Sequence, residues 1–155
     1  MRSLSTVTTA LLSFFRSVPP LAPTSKRIFL VRHGKVIPPG GVHGVHYGDL
    51  DIPLSPLGKI EATQAVSCLA DTPLSAVVSS PLSRAVFGAN EIRKSRTITT
   101  TPPLTYKGFS ELNRGKWRGK TKEQIGNDLY ESFNAATPGT TPEDGESLQT
   151  VRDRA

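Results

Sequence analysis

Cysteine is almost absent: the chain has one, Cys68, in 155 residues. That excludes an internal disulfide framework and a Cys-rich zinc site. No apolar run approaches the roughly 20 residues that cross a bilayer, so no membrane partner is expected. No fixed-period repeat accompanies the 13 Gly and 13 Pro, which removes collagen-like, coiled-coil and solenoid designs. Neither a Gly-x-Ser-x-Gly elbow nor a Walker loop is present, so serine hydrolases and nucleoside triphosphatases have no support. Acids are missing altogether from residues 1–48, which hold Arg2, Arg16, Lys26, Arg27, Arg32 and Lys35. Residues 49–155 carry bases and acids in equal number, so the formal charge of +6 belongs to the first third of the chain. The nearest thing to a nucleic-acid stripe is Arg114-Gly-Lys116-Trp117-Arg118-Gly-Lys120. Its Gly-x-Trp-x-Gly frame reads better as structure at a pocket edge with Trp117 packed, and nucleic acid is not expected as a partner.

Residues 1–25 are rich in Ser and Thr, carry two Arg and lack acids, the composition of an organelle transit peptide for mitochondrion or plastid. A secretory signal, a disordered extension and a cytoplasmic protein are the alternatives. The folded body is expected over 26–155. Ile28-Phe-Leu-Val31 reads as a buried strand closed by Arg32-His33-Gly34. Residues 35–53, dense in Gly and Pro, read as one long loop of functional kind. Ser55-Pro56 opens a helix to about Ala70, with Leu57, Ile60, Ala65, Val66 and Leu69 as its apolar positions and Cys68 as a small buried filler. Leu74 to Val78 is a second strand, and Ser80-Pro81 opens a helix to about residue 93. Thr97 to Thr101 is β-prone, and 104–120 is loop-rich. Thr121-Lys-Glu-Gln124 matches a capping box opening a helix to about 134, and a last helix starts near Glu146. Strands alternating with helices predict an α/β fold of three layers, with a mainly parallel sheet and helices on both faces. The site of such a sheet lies at the carboxyl ends of its strands.

Arg32-His33-Gly34 falls at such an end, and Arg84 falls in the first turn of the helix after the second strand. Two guanidiniums and a helix N-terminus around one imidazole would suit a phosphate, since Arg presents forked donors that match phosphate oxygens. The same positive field would keep His33 neutral, as a nucleophile must be. His43 and His46, with Asp49 and Asp51 nearby, are a weak metal pattern on a Gly-rich loop, and no metal is assigned.

Phe29-Leu-Val-Arg-His-Gly34, Asp51-Ile-Pro-Leu-Ser-Pro-Leu-Gly58 with Ala62, Gln64 and Ala65, Val78-Ser-Ser-Pro-Leu-Ser-Arg-Ala85, Glu111 with Gly115, Trp117 and Gly119, and Pro142 with Gly145-Glu-Ser147 and Arg152 follow one another in order. Together they resemble the histidine phosphatase, or phosphoglycerate-mutase-like, superfamily. The resemblance implies cofactor-free and metal-free phosphoryl transfer on a small phosphorylated metabolite. His33 would become a phosphohistidine, with Arg32, Gly34 and Arg84 binding the phosphate. Glu111 would act as general acid and then base. Lys35-Val-Ile-Pro-Pro-Gly departs from the mutase branch and favours hydrolysis over phosphoglycerate mutation. A homodimer is left open.

The superfamily's second histidine, in a later His-Gly motif, has no counterpart among His33, His43 and His46. A truncated member is the preferred reading. A non-catalytic phosphoester-binding protein is the alternative. Truncation would remove a central strand and expose a sheet edge, so these 155 residues alone are expected to be unstable and nearly inactive.

Overall fold

The computed structural model describes residues 25–95 and 103–155. The leader and the β-prone run 97–101 lie outside them. Among the described residues the sheet is a pair of short parallel strands, β1 (Val78–Ser79) and β2 (Leu104–Thr105), in register Val78 to Leu104 and Ser79 to Thr105. Helices α1 (Pro56–Ser67) and α2 (Ser83–Lys94) pack on each other beside it. Two short helices, α3 (Lys122–Ile125) and α4 (Asn127–Asn134), and the final α5 (Leu148–Arg154) complete the described body. The fold is α/β with a parallel pairing, although the sheet is small. The second strand is shorter than expected, and its partner begins at Leu104, in the stretch read as loop.

The expected first strand is extended but joins no ladder among the described residues. Phe29 points inward, against a cluster of Val66, Leu69 and Ile92, while Ile28 and Leu30 are 81% and 94% exposed. Val31, on the same side as Phe29 in an alternating pattern, is also exposed, so Phe29 alone of the four finds an apolar cluster. The reading of this segment as a buried strand is corrected.

Caps explain the helix starts. Ser55 Oγ accepts from Gly58 N–H at 3.0 Å, with Pro56 in the first helical position. The buried stripe of α1 is Gly58, Ala62 and Val66, whereas Leu57 and Ile60 are exposed. Small residues face inward because the backbone of the Arg32-His33-Gly34 segment lies against this helix. A Cβ on Gly34 would overlap the Gly58 carbonyl oxygen, and one on Gly58 would overlap that of Lys35. Cys68 is half-buried just past the helix end.

Helix α2 begins two residues later than Ser80-Pro81 suggests, because its cap comes from far along the chain. Leu82 at the N-cap offers no acceptor. Asp51 instead takes the Ser83 N–H at 2.8 Å and the Ser83 hydroxyl at 2.7 Å. Such a carboxylate satisfies an orphan donor and meets the positive end of the helix dipole. The capping box of Thr121 and Gln124 is formed. Its helix stops at Gly126, with φ +101, a conformation open to glycine, and resumes as α4. Ser147 caps α5 by accepting from Thr150 N–H at 3.0 Å. A third cluster, Leu112, Trp117 and Phe133, anchors these short helices.

Candidate active site

Arg32, His33 and Gly34 leave the first extended segment and line one open cavity of about 480 Å³. Across it stand Val42, His43, Gly44, Val45 and Tyr47 from the long loop, with Lys35 and Glu61 at the side. The loop is tied at several points. Ile37 N–H donates to Pro53 O at 3.0 Å, and Val36 bridges Leu54. Further along, His46 N–H donates to Lys120 O at 2.9 Å, and Gly119 N–H donates to His46 O at 2.8 Å.

The His33 ring is oriented by its own neighbour. Nδ1 lies 2.8 Å from Gly34 O. A carbonyl oxygen only accepts, so Nδ1 is a donor here, and Nε2 is the ring nitrogen without a protein partner among the described hydrogen bonds. The segment itself is fixed to α1. Lys35 N–H donates to Glu61 Oε2 at 2.7 Å, and Lys35 O accepts from Ser55 N–H and, at 3.1 Å, from Ser55 Oγ.

Arg84 is placed elsewhere. It is 2% exposed. Its Nη1 donates to Leu50 O at 2.6 Å and Nη2 to Gly48 O at 2.9 Å, and its guanidinium lies 5.3 Å from the Tyr47 ring centre. It does not line the cavity but stands behind Tyr47, which does. The α2 N-terminus read as a phosphate site is held by Asp51. Replacing Arg84 with Met is expected to cost about 3 kcal/mol, since it leaves the buried Gly48 carbonyl without this donor, takes one of two donors from Leu50 O and removes a packed cation. Urea denaturation of the variant measures this.

Glu111 is likewise outside the cavity wall. It is exposed, and its Oε1 accepts from Leu112 N–H at 3.0 Å. The segment around it is gripped by Glu146 and Arg154. Arg152, the arginine singled out by motif, is exposed. The structure thus brings together Arg32, His33 and Gly34 in the cavity wall, and Arg84 and Glu111 are not among its lining residues.

Sequence reasoning passed over Glu61, Tyr47 and Arg154. Glu61 lies one helical turn past Gly58, so it rises beside the same backbone that Gly58 touches, and that spacing was the available signal. The basic run is dispersed. Lys116 pairs with Glu143, and Arg118 pairs with Asp49 through Nη2 at 2.6 Å. Arg114 lies 5.6 Å from the Phe133 ring centre, and Trp117 is buried edge-on to Phe133. The residues of the weak metal pattern also go separate ways. His43 lines the cavity, His46 stacks on Tyr130 at 4.8 Å, Asp49 holds Arg118 and Asp51 caps α2.

The sequence profile described as histidine phosphatase superfamily (branch 1) matches residues 28–155. The chain belongs to the histidine phosphatase superfamily. Among solved structures, a mycobacterial glucosyl-3-phosphoglycerate phosphatase is 29% identical with a TM-score of 0.65, covering 79% of this chain and 57% of that one. The protein TTHB049 from Thermus thermophilus is 25% identical with a TM-score of 0.63, covering 80% of this chain and 65% of that one. A putative alpha-ribazole-5'-P phosphatase from Escherichia coli, 19% identical with a TM-score of 0.62, shares the fold. No curated protein matches the chain. The chain spans 57% to 65% of the length of the first two structures. The fold of this histidine phosphatase-like chain is thus the phosphoglycerate mutase-like α/β fold of its neighbours.

Two titrating groups near the site tie stability to pH. Burial, helped by the Arg114 charge, holds the His46 imidazole below its ordinary value, against an opposing pull from Glu123. Its hydrogen bonds to Arg154 hold the Glu146 carboxyl below its usual range, the Asn113 N–H adding to this, and burial opposes. For both groups the unfolded chain takes up the proton first, so each contributes stability that falls with pH. The His46 contribution is expected to fade below about pH 6.5, and the Glu146 contribution below about pH 4.3. Urea midpoints followed across pH should show both steps, and His46→Phe should remove only the first.

Proposed function

We propose that this chain carries out phosphomonoester chemistry through a phosphohistidine on His33, acting as a phosphatase on a small phosphorylated metabolite. The observation that carries the reading is the His33 ring. Its Nδ1 is engaged by Gly34 O, which leaves Nε2 as the nitrogen available to a ligand in a cavity shared with Arg32 and Lys35. The family and the phosphatase neighbours support it. A cavity of about 480 Å³ is of the size that holds small molecules.

In this reading Nε2 attacks phosphorus in line. The N–P bond forms as the bond to the ester oxygen breaks. Arg32 stabilises charge on the non-bridging oxygens, the main requirement of phosphoryl transfer. Glu111, exposed and outside the lining residues, is assigned the proton given to the leaving oxygen as that oxygen departs toward solvent. Water then attacks the phosphohistidine, Glu111 takes a proton back, and inorganic phosphate leaves. Arg84, held behind Tyr47 by the Leu50 and Gly48 carbonyls, contributes its charge from outside the cavity wall and makes no hydrogen bond to the phosphate.

Trapping tests the proposal. The chain is mixed with a radiolabelled phosphoester, and the protein-bound label should be acid-labile and alkali-stable. This needs only the first half-reaction, not turnover. A protein that binds phosphoester without bond cleavage gives no label and rejects the reading. Transfer of label to a second hydroxyl rather than to water would make the chain a mutase.

A further inference from the structure

Arg154 directs its N–H groups at one carboxylate and three backbone carbonyls. Nε donates to Glu146 Oε1 at 2.8 Å and Nη2 to Glu146 Oε2 at 3.0 Å. Nη1 donates to Gly108 O and, at 2.9 Å, to Ser110 O. Nη2 also reaches Glu111 O at 3.4 Å. Glu146 continues the grip from the other side. Its Oε2 accepts from Asn113 N–H at 2.9 Å, and its own N–H donates to Asn113 O at 2.9 Å. The carbonyls of residues 108, 110 and 111 and the Asn113 N–H are therefore held by one ion pair, and the Asn113 carbonyl by the Glu146 backbone. That pair is half-buried, where a forked guanidinium on a carboxylate has fixed geometry. Glu111 sits in the middle of the gripped segment and has no other tertiary side-chain anchor among its described hydrogen bonds, since Oε1 bonds only its neighbour Leu112.

We infer that Arg154, locked to Glu146, is a positioning residue that sets where the Glu111 carboxyl is presented. This rests on the proposed function, in which Glu111 donates the proton to the leaving oxygen. A Lys in its place is a point charge and cannot reach Glu146 and three carbonyls at once. The grip joins the start and the end of α5 to the acid-bearing segment, so α5 serves as its brace.

The test compares the parent chain with Arg154→Met, Arg154→Lys and Glu111→Gln. Two donors are used: 4-nitrophenyl phosphate, whose leaving group departs without a proton, and glycerol phosphate, whose alkoxide needs one. The rate of label arrival on His33 is read for each. Glu111→Gln and Arg154→Met are both expected to slow labelling from glycerol phosphate by about a hundredfold, and to change labelling from 4-nitrophenyl phosphate less than threefold. Arg154→Lys should fall between. Amide exchange at Asn113 is expected to quicken at least tenfold in Arg154→Met, with the amides of α1 unchanged.

Equal slowing on both donors, or no slowing on either, overturns the positioning role while the phosphatase reading stands. So does unchanged exchange at Asn113. A parent chain that neither donor labels overturns the phosphatase reading itself, and the catalytic role of the brace with it.

Discussion

His33→Ala is expected to lose phosphohistidine labelling by at least about a thousandfold, because no other group in the cavity can take over an in-line attack from the same place. Three features support so large an effect. The ring is held by Gly34 O through Nδ1. The segment carrying it is tied to α1 by Glu61 and Ser55. The cavity is open enough for a phosphoester to approach. His43 lines the same cavity and provides the control. His43→Ala should keep the label. Label surviving in His33→Ala, or appearing on His43, would show that His33 is not the nucleophile.

The second large effect is on folding. Gly58→Ala is expected to destabilise the chain by about 3 kcal/mol, the upper end of the usual range for overpacking. The added methyl would overlap the Lys35 carbonyl oxygen, and backbone cannot yield as a flexible side chain does. A domain typically holds only about 5–15 kcal/mol in reserve, so the variant should unfold at markedly lower urea. Gly88→Ala is the matched control. Gly88 sits inside α2, nothing lies within 4 Å of a Cβ built there, and alanine in a helix interior gains up to about 1 kcal/mol over glycine. The two substitutions should therefore move the midpoint in opposite directions. If Gly58→Ala melts as the parent does, the close approach of α1 to the nucleophile segment is wrong.

The contrast shows which parts of this molecule are legible in its sequence. Local signals work where the partners are neighbours along the chain. Ser55, the Thr121–Gln124 box and the start of the last helix are caps decided within three residues. The Arg32-His33-Gly34 segment is likewise visible from its own composition. Signals that depend on distant partners stay hidden. The cap of α2 is Asp51, 32 residues away from Ser83, so Ser80-Pro81 points to the wrong start. The run 28–31 has strand chemistry, but whether a strand is paired depends on what lies beside it. Glycine at 126 divides a helix that periodicity alone would continue. Arg152 and Arg154 differ by two positions on one helix, and only the fold shows that the second reaches Glu146.

The bonds that Ser83 donates to Asp51, and Arg84 to the carbonyls of Gly48 and Leu50, make the Tyr47 side of the cavity an unyielding jamb: it cannot shift without uncapping a helix and stranding a buried cation. Among the described residues, the opposite lip, around Val42 to Val45, has no such lock beyond the short turn at Pro39–Gly41 and the pairing of His46. A bulkier ester would be accommodated on that lip, so exchanges among those few residues are the shortest route to a changed choice of substrate.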